Sequence, residues 1–209
     1  SSPLAPVSAL RVRALLVLSA LLFMVSSWRL GLHCLYLAPI VLSILFFYSW
    51  TKRFTKYSHL VLGLCLALAP GGVWYALTAT FAWLPVILMA AVLLWVAGFD
   101  ILYACQDIEF DRALGLYSIP ATIGIKRSFI IARVFHIACI VLLIVFGRQA
   151  DLGSGYFIGL LLFSICLASQ HFFVLKNALS AIDMAFFTRN GAASLLFLAG
   201  NIAERVIWS

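Results

Sequence analysis

Seven stretches of mainly apolar side chains, at approximately 10–27, 30–49, 60–80, 84–104, 128–147, 156–175 and 185–203, take up most of this chain. Each is close to the roughly 20 residues needed to cross a hydrocarbon layer about 30 Å thick. The connectors, at 28–29, 50–59, 81–83, 105–127, 148–155 and 176–184, leave no room for a water-soluble domain. In lipid every backbone N–H and C=O must find a partner within the protein, so segments of this length are helices; a barrel would show shorter, alternating ones. The expected fold is therefore all-α, a polytopic transmembrane helical bundle of seven spans, with residues 1–209 forming a single domain. Pro70-Gly71-Gly72 falls within the third span, where it either bends the helix beside a cavity or is a tolerated packing kink.

Composition agrees, because 65% hydrophobic and 10% charged residues depart far from the roughly 45–50% and 25% of soluble domains. The formal charge of +7 does not indicate nucleic-acid binding, since the basic residues are not gathered on a polar face. They report topology instead. With the N-terminus cytoplasmic, the inner side carries eleven basic residues (Arg11, Arg13, Lys52, Arg53, Lys56, Arg112, Lys126, Arg127, Arg133, Lys176 and Arg189) and the outer side three, Arg29, Arg148 and Arg205. That asymmetry follows the positive-inside rule, and Trp28, Trp50, Trp83 and Trp208 stand at span ends like an interfacial aromatic belt. An integral protein of a bacterial inner membrane fits both signals, with membrane lipid as its surroundings and no nucleic-acid partner. The five cysteines have no metal-site spacing and read as reduced core residues. Ser1 opens the sequence and the first methionine is Met24, so the chain reads as a fragment or a processed product. Arg11 and Arg13 before an apolar run resemble a secretory signal locally, but no small-residue cleavage site follows, and the run is taken as a span.

Four of the seven acidic residues, Asp100, Asp107, Glu109 and Asp111, lie within twelve positions at the end of the fourth span. If that helix continues at 100° per residue, Asp107 and Asp111 fall about 20° to either side of Asp100, and Glu109 points away. Three carboxylates on one face repel one another unless a cation neutralises them. Oxygen ligands without His or Cys suit Mg²⁺, which commonly bridges carboxylates to substrate phosphates. The bland alternative is a solvated acidic loop. Lys52, Arg53, Lys126 and Arg127 either bind an anionic group beside the metal or simply anchor the cytoplasmic face. Arg133, a turn and a half into the fifth span, either snorkels or pairs with the acids or a substrate anion. His33, His136 and His171 read as isolated packing residues, and His59 as a solvated member of the basic loop.

The stretch from Asp100 to Gly124 resembles the second aspartate-rich motif of the UbiA superfamily of intramembrane aromatic prenyltransferases. Its D-x-x-x-D pair falls on Asp107 and Asp111, its upstream Asp and Tyr on Asp100 and Tyr103, and its G-L-x-S-x-P on Gly115 to Pro120. The family's Y-x-x-x-K motif is met by Tyr48 to Lys52. The wording around Asp107 is most similar to the 4-hydroxybenzoate polyprenyltransferase branch, including members assigned to menaquinone biosynthesis. Family members usually have nine spans and carry a first motif, N-D-x-x-D-x-x-x-D, that is missing here; the opening Ser1 to Ser8 resembles the loop after it. The seven spans would then be the family's third to ninth helices, and the fragment alone is expected to be inactive or unstable.

The resemblance implies a Mg²⁺-dependent transferase that moves a polyprenyl chain from its diphosphate to an aromatic acid, in ubiquinone or menaquinone biosynthesis. It implies that Asp107 and Asp111, helped by Asp100, hold the metal, while Lys52 neutralises the departing pyrophosphate with Arg53. Tyr48 and Tyr103 either contact the diphosphate or the allylic cation or are interfacial tyrosines, and Lys126 and Arg127 bind substrate. Other expectations are an acceptor such as haem or homogentisate, a non-catalytic remnant, and a transporter. The last would place charges deep within several spans, whereas these collect at one face.

Overall fold

The computed structural model describes residues 9–176 and 182–207. Nine helices run through them: α1 (Ala9–Leu30), α2 (Leu32–Thr51), α3 (Ser58–Thr78), α4 (Trp83–Ala104), α5 (Ile108–Ala113), α6 (Ile119–Ile123), α7 (Ile125–Gln149), α8 (Ser154–Lys176) and α9 (Ile182–Ile207). The seven long helices match the seven apolar stretches, and α5 and α6 divide the connector 105–127. Six of the long helices are long and apolar enough to cross a membrane. The seventh, α9, has the length but carries Arg189, Asn190, Asn201 and Glu204. Trp208 and the opening stretch 1–8 lie outside the described residues, as does the side chain of Lys176.

Successive long helices are neighbours, and α4 packs against both α3 and α7. Small residues make this possible. A side chain at Gly63 or Gly71 of α3 would run into Leu93 or Met89 of α4, and one at Gly98 of α4 into His136 of α7. Such glycines let helix backbones approach in lipid, where dispersion contacts replace the hydrophobic effect as the source of association. Helix α3 is assigned without a break through Pro70, and Gly71 serves close packing against Met89. Trp28, Trp50 and Trp83 are exposed near helix ends, as an interfacial belt requires.

Polar residues that lower the hydropathy of α9 bind it to α8. Arg189 Nη1 donates to the carbonyl and the hydroxyl of Ser169 (both 2.9 Å), and Gln170 Nε2 donates to Asn190 Oδ1 at 2.6 Å. At the other end Glu204 accepts from the N–H groups of Gly153 and Gly155 (2.7 and 2.8 Å), placing a carboxylate at the start of α8, where the helix dipole favours it. Gly159 and Gly200 bring the two backbones together between these contacts. Gly200→Val puts its side chain against the Gly159 backbone. It is expected to cost about 1–3 kcal/mol, read as a lowered unfolding temperature in detergent.

Candidate active site at the acid-bearing end

Helix α4 does not continue through the acidic stretch. The N–H groups of Cys105, Gln106 and Asp107 each bond to the carbonyl three residues back (3.3, 3.1 and 3.2 Å), a tightened last turn that ends the helix. Helix α5 then starts afresh after Asp107. The single carboxylate face expected for Asp100, Asp107 and Asp111 is thus broken by the turn between α4 and α5. Among the described residues no three His, Cys, Asp or Glu side chains come together as a metal cluster. Glu109 is exposed and Asp111 buried, so those two do point apart as the spacing required.

The family-like motif has a local physical explanation. Gly115, at φ +65, takes the left-handed conformation that ends α5, and the Leu116 N–H turns back to the Asp111 carbonyl at 2.8 Å. Ser118 then caps α6, its hydroxyl accepting from the Ala121 N–H at 3.2 Å, with Pro120 in the first turn. Between the two helices the Tyr117 N–H donates to the Lys52 carbonyl at 2.7 Å, which ties the loop to the end of α2. Asp111 and Lys52, 59 positions apart in sequence, meet across that tie at 3.5 Å.

Asp111 is 1% exposed, and its Oδ1 receives the partly exposed Lys52 ammonium. Its Oδ2 is buried without any hydrogen-bond partner. A carboxylate oxygen left unsatisfied in this way is costly, and a hard divalent cation is the kind of group that completes it. The donor chemistry therefore fits Mg²⁺ at Asp111.

Asp100 has a different partner, one that corrects the sequence reading of His59 as solvated. The His59 ring is fully buried, with Nδ1 2.6 Å from Asp100 Oδ2. The Ile119 N–H donates to its Nε2 at 3.3 Å. Since Nε2 accepts, the ring proton resides on Nδ1 and is donated to Asp100. One imidazole thereby joins α3, α4 and the start of α6. The available signal was the spacing of His59, Gly63 and Ala67, which share the buried face of α3.

Other expected site residues are distributed around this centre. Tyr48 of α2 is partly buried, one helical turn before Lys52. Tyr103 packs half-buried against the core of Ile101, Leu102 and Phe129. Arg53 is exposed. Lys126 and Arg127 line a separate cleft of about 450 Å³ with Arg112 and Ile108, bordered by none of Lys52, Asp100 or Asp111. Structure thus joins Lys52 to Asp111 and His59 to Asp100, and leaves Lys126 and Arg127 outside that group. His136 and His171 are not isolated, for their rings are hydrogen-bonded to each other at 2.9 Å.

Cys105, buried beside the site, donates its thiol to the Ile101 carbonyl at 3.4 Å. Burial pushes this thiol up to about 12, so it stays protonated through neutral pH. Alkylation by a water-soluble maleimide at pH 7 is expected to spare Cys105 in the folded protein and to modify it after denaturation, as peptide mass spectrometry would read.

The profile of the UbiA prenyltransferase family matches residues 3–197. The chain belongs to that family. Among curated relatives, a 4-hydroxybenzoate octaprenyltransferase of Francisella tularensis subsp. novicida (strain U112) is 27% identical over 172 residues, covering 81% of this chain and 59% of the relative. The enzyme of the same name from Marinobacter nauticus is 29% identical over 153 residues, covering 73% of this chain and 52% of its own length. The apo structure of a UbiA homolog from Aeropyrum pernix K1 superposes with a TM-score of 0.84 at 30% identity, over 97% of this chain and 75% of that one. The chain therefore spans somewhat over half the length of these curated relatives and shares their family's helical fold. It is an integral membrane protein.

Proposed function

We propose that the protein to which this chain belongs transfers a polyprenyl group from a polyprenyl diphosphate to an aromatic acid acceptor such as 4-hydroxybenzoate, in ubiquinone or menaquinone biosynthesis. The observation that carries this reading is the buried Asp111 carboxylate, with one oxygen on Lys52 and the other unpartnered, at the end of an apolar bundle. Asp111 and Asp107, assisted by Asp100, are the residues that would hold Mg²⁺. When bound, the ion supplies positive charge to the diphosphate oxygens. Lys52 adds its ammonium to the same oxygens and neutralises the pyrophosphate as it leaves; Arg53 contributes from the exposed side.

Ionisation breaks the allylic C–O bond, and both bonding electrons leave with the pyrophosphate. The allylic cation is then kept among apolar side chains, where little water can capture it, until a ring carbon of the acceptor attacks and loses its proton. Tyr48 would hydrogen-bond the diphosphate or present its ring to the cation. His59 holds the Asp100 carboxylate and the α6 loop in one arrangement and acts as a positioning residue. Lys126 and Arg127, in their separate cleft, are read as contacts for an anionic group approaching from the aqueous side. The basic-residue asymmetry supports an inner-membrane location with the N-terminus and the acids cytoplasmic.

The test is to express the full-length protein in membranes and to supply labelled 4-hydroxybenzoate, polyprenyl diphosphate and Mg²⁺. Prenylated product that depends on Asp107 and Asp111 is expected. Product formation that survives loss of both aspartates would exclude the assignment, and product from another acceptor only would redirect it.

A further inference from the structure

A second polar feature lies within the apolar part of the bundle. Between α7 and α8 a groove of about 370 Å³ is lined by Ile137, Ile140 and Leu167 together with Arg133, His136 and His171. None of Lys52, Asp100 or Asp111 borders it. Arg133 stands eight residues into α7 and five into its apolar span, about 7.5 Å along the axis at 1.5 Å per residue. At such a depth a guanidinium is costly without a counter-charge. Arg133 is exposed, and among the described residues neither the Lys52–Asp111 ion pair nor the His59–Asp100 hydrogen bond includes it.

Its neighbours share the same need. The ring pair of His136 and His171 uses His136 Nδ1 and His171 Nε2, which leaves His171 Nδ1 buried without a partner. Arg133 and His171 line the same groove. A lone inorganic ion would neutralise the guanidinium but leave the apolar wall uncovered. A neutral lipid would cover the wall and leave the cation unpaired. Both requirements are met by a molecule with an anionic head and a hydrocarbon chain, and basic pockets between transmembrane helices have this character.

We propose that this groove is a binding site for one anionic phospholipid. Its phosphate rests on Arg133, a polar group of its glycerol backbone reaches His171 Nδ1, and an acyl chain lies along Ile137, Ile140 and Leu167. The site is separate from the carboxylate centre and does not depend on the reaction proposed there.

Native mass spectrometry of the purified protein in detergent, with phosphatidylglycerol or phosphatidylcholine of identical acyl chains, tests this. The wild type is expected to retain one phosphatidylglycerol in preference to phosphatidylcholine. Arg133→Gln should lower that retention about fivefold, the equivalent of about 1 kcal/mol for one basic contact. Ala168→Phe, at an exposed position of the lining, should abolish it by filling the groove. Arg148→Gln, at the far end of α7, should leave it unchanged. Equal retention of the two lipids, or an Arg133→Gln protein that binds as the wild type does, would overturn the proposal. So would displacement of the lipid by free glycerol phosphate, which has no chain, or by polyprenyl diphosphate at stoichiometric amounts, which would make the groove a substrate site.

Discussion

Asp111→Asn is expected to reduce prenyl transfer by a factor on the order of 10²–10³, the scale seen when one preorganised electrostatic contact to a developing charge is removed. The substitution keeps the size of the side chain and takes away its charge. Lys52, with a third of its side chain exposed, remains hydrated after losing its partner. The loss should therefore appear in turnover more than in folding. Lys52→Ala acts on the other half of the pair and should also depress turnover, but it leaves the buried Asp111 carboxylate without its cation. That variant is expected to unfold at lower temperature as well. Glu109→Gln removes an exposed charge two positions from Asp111 and should leave both properties unchanged. Initial rates in membranes, with unfolding temperatures in detergent, separate these outcomes. An Asp111→Asn protein of undiminished turnover would show that the buried carboxylate is structural.

His59→Ala should have the second-largest effect, acting through two elements at once. It removes the donor to the partly exposed Asp100 carboxylate and the acceptor of the buried Ile119 N–H. Leaving buried polar groups unpaired costs about 1–3 kcal/mol each. Loss of a group that orients a metal-binding carboxylate typically costs about 10–100-fold in activity or metal affinity. His59→Asn discriminates the two contributions, since its amide N–H can still donate toward Asp100 but the side chain is too short to reach Ile119. Partial recovery of turnover, with the unfolding temperature still lowered, is the expected pattern. Equal turnover in the alanine and asparagine variants would confine His59 to holding the loop.

Local sequence carried much of the architecture because lipid imposes a simple requirement on length and backbone bonding. Seven apolar stretches became seven long helices, and Gly115, Ser118 and Pro120 set the turn, cap and first helical turn expected of residues with their conformational preferences. The candidate site was legible in part. Asp111 and Lys52 are identified by motif, and the fourth span ends at 104 as α4 does, but a shared carboxylate face requires the helix to continue, and three backbone bonds end it before Asp107. His59 was misread for a related reason. Its neighbours in sequence are basic and polar, whereas its neighbours in space are Asp100 and the start of α6.

What the sequence determined by itself was the solvent, the number of long helices and the end of the bundle that carries charge, all of which follow from local hydropathy and spacing. Only the tertiary structure decided which polar groups meet: Lys52 with Asp111, His59 with Asp100, His136 with His171. These partners are separated by 35 to 59 positions. Their pairing depends on how closely glycines such as Gly63 and Gly98 let the helices approach, and no periodicity within one helix encodes that distance.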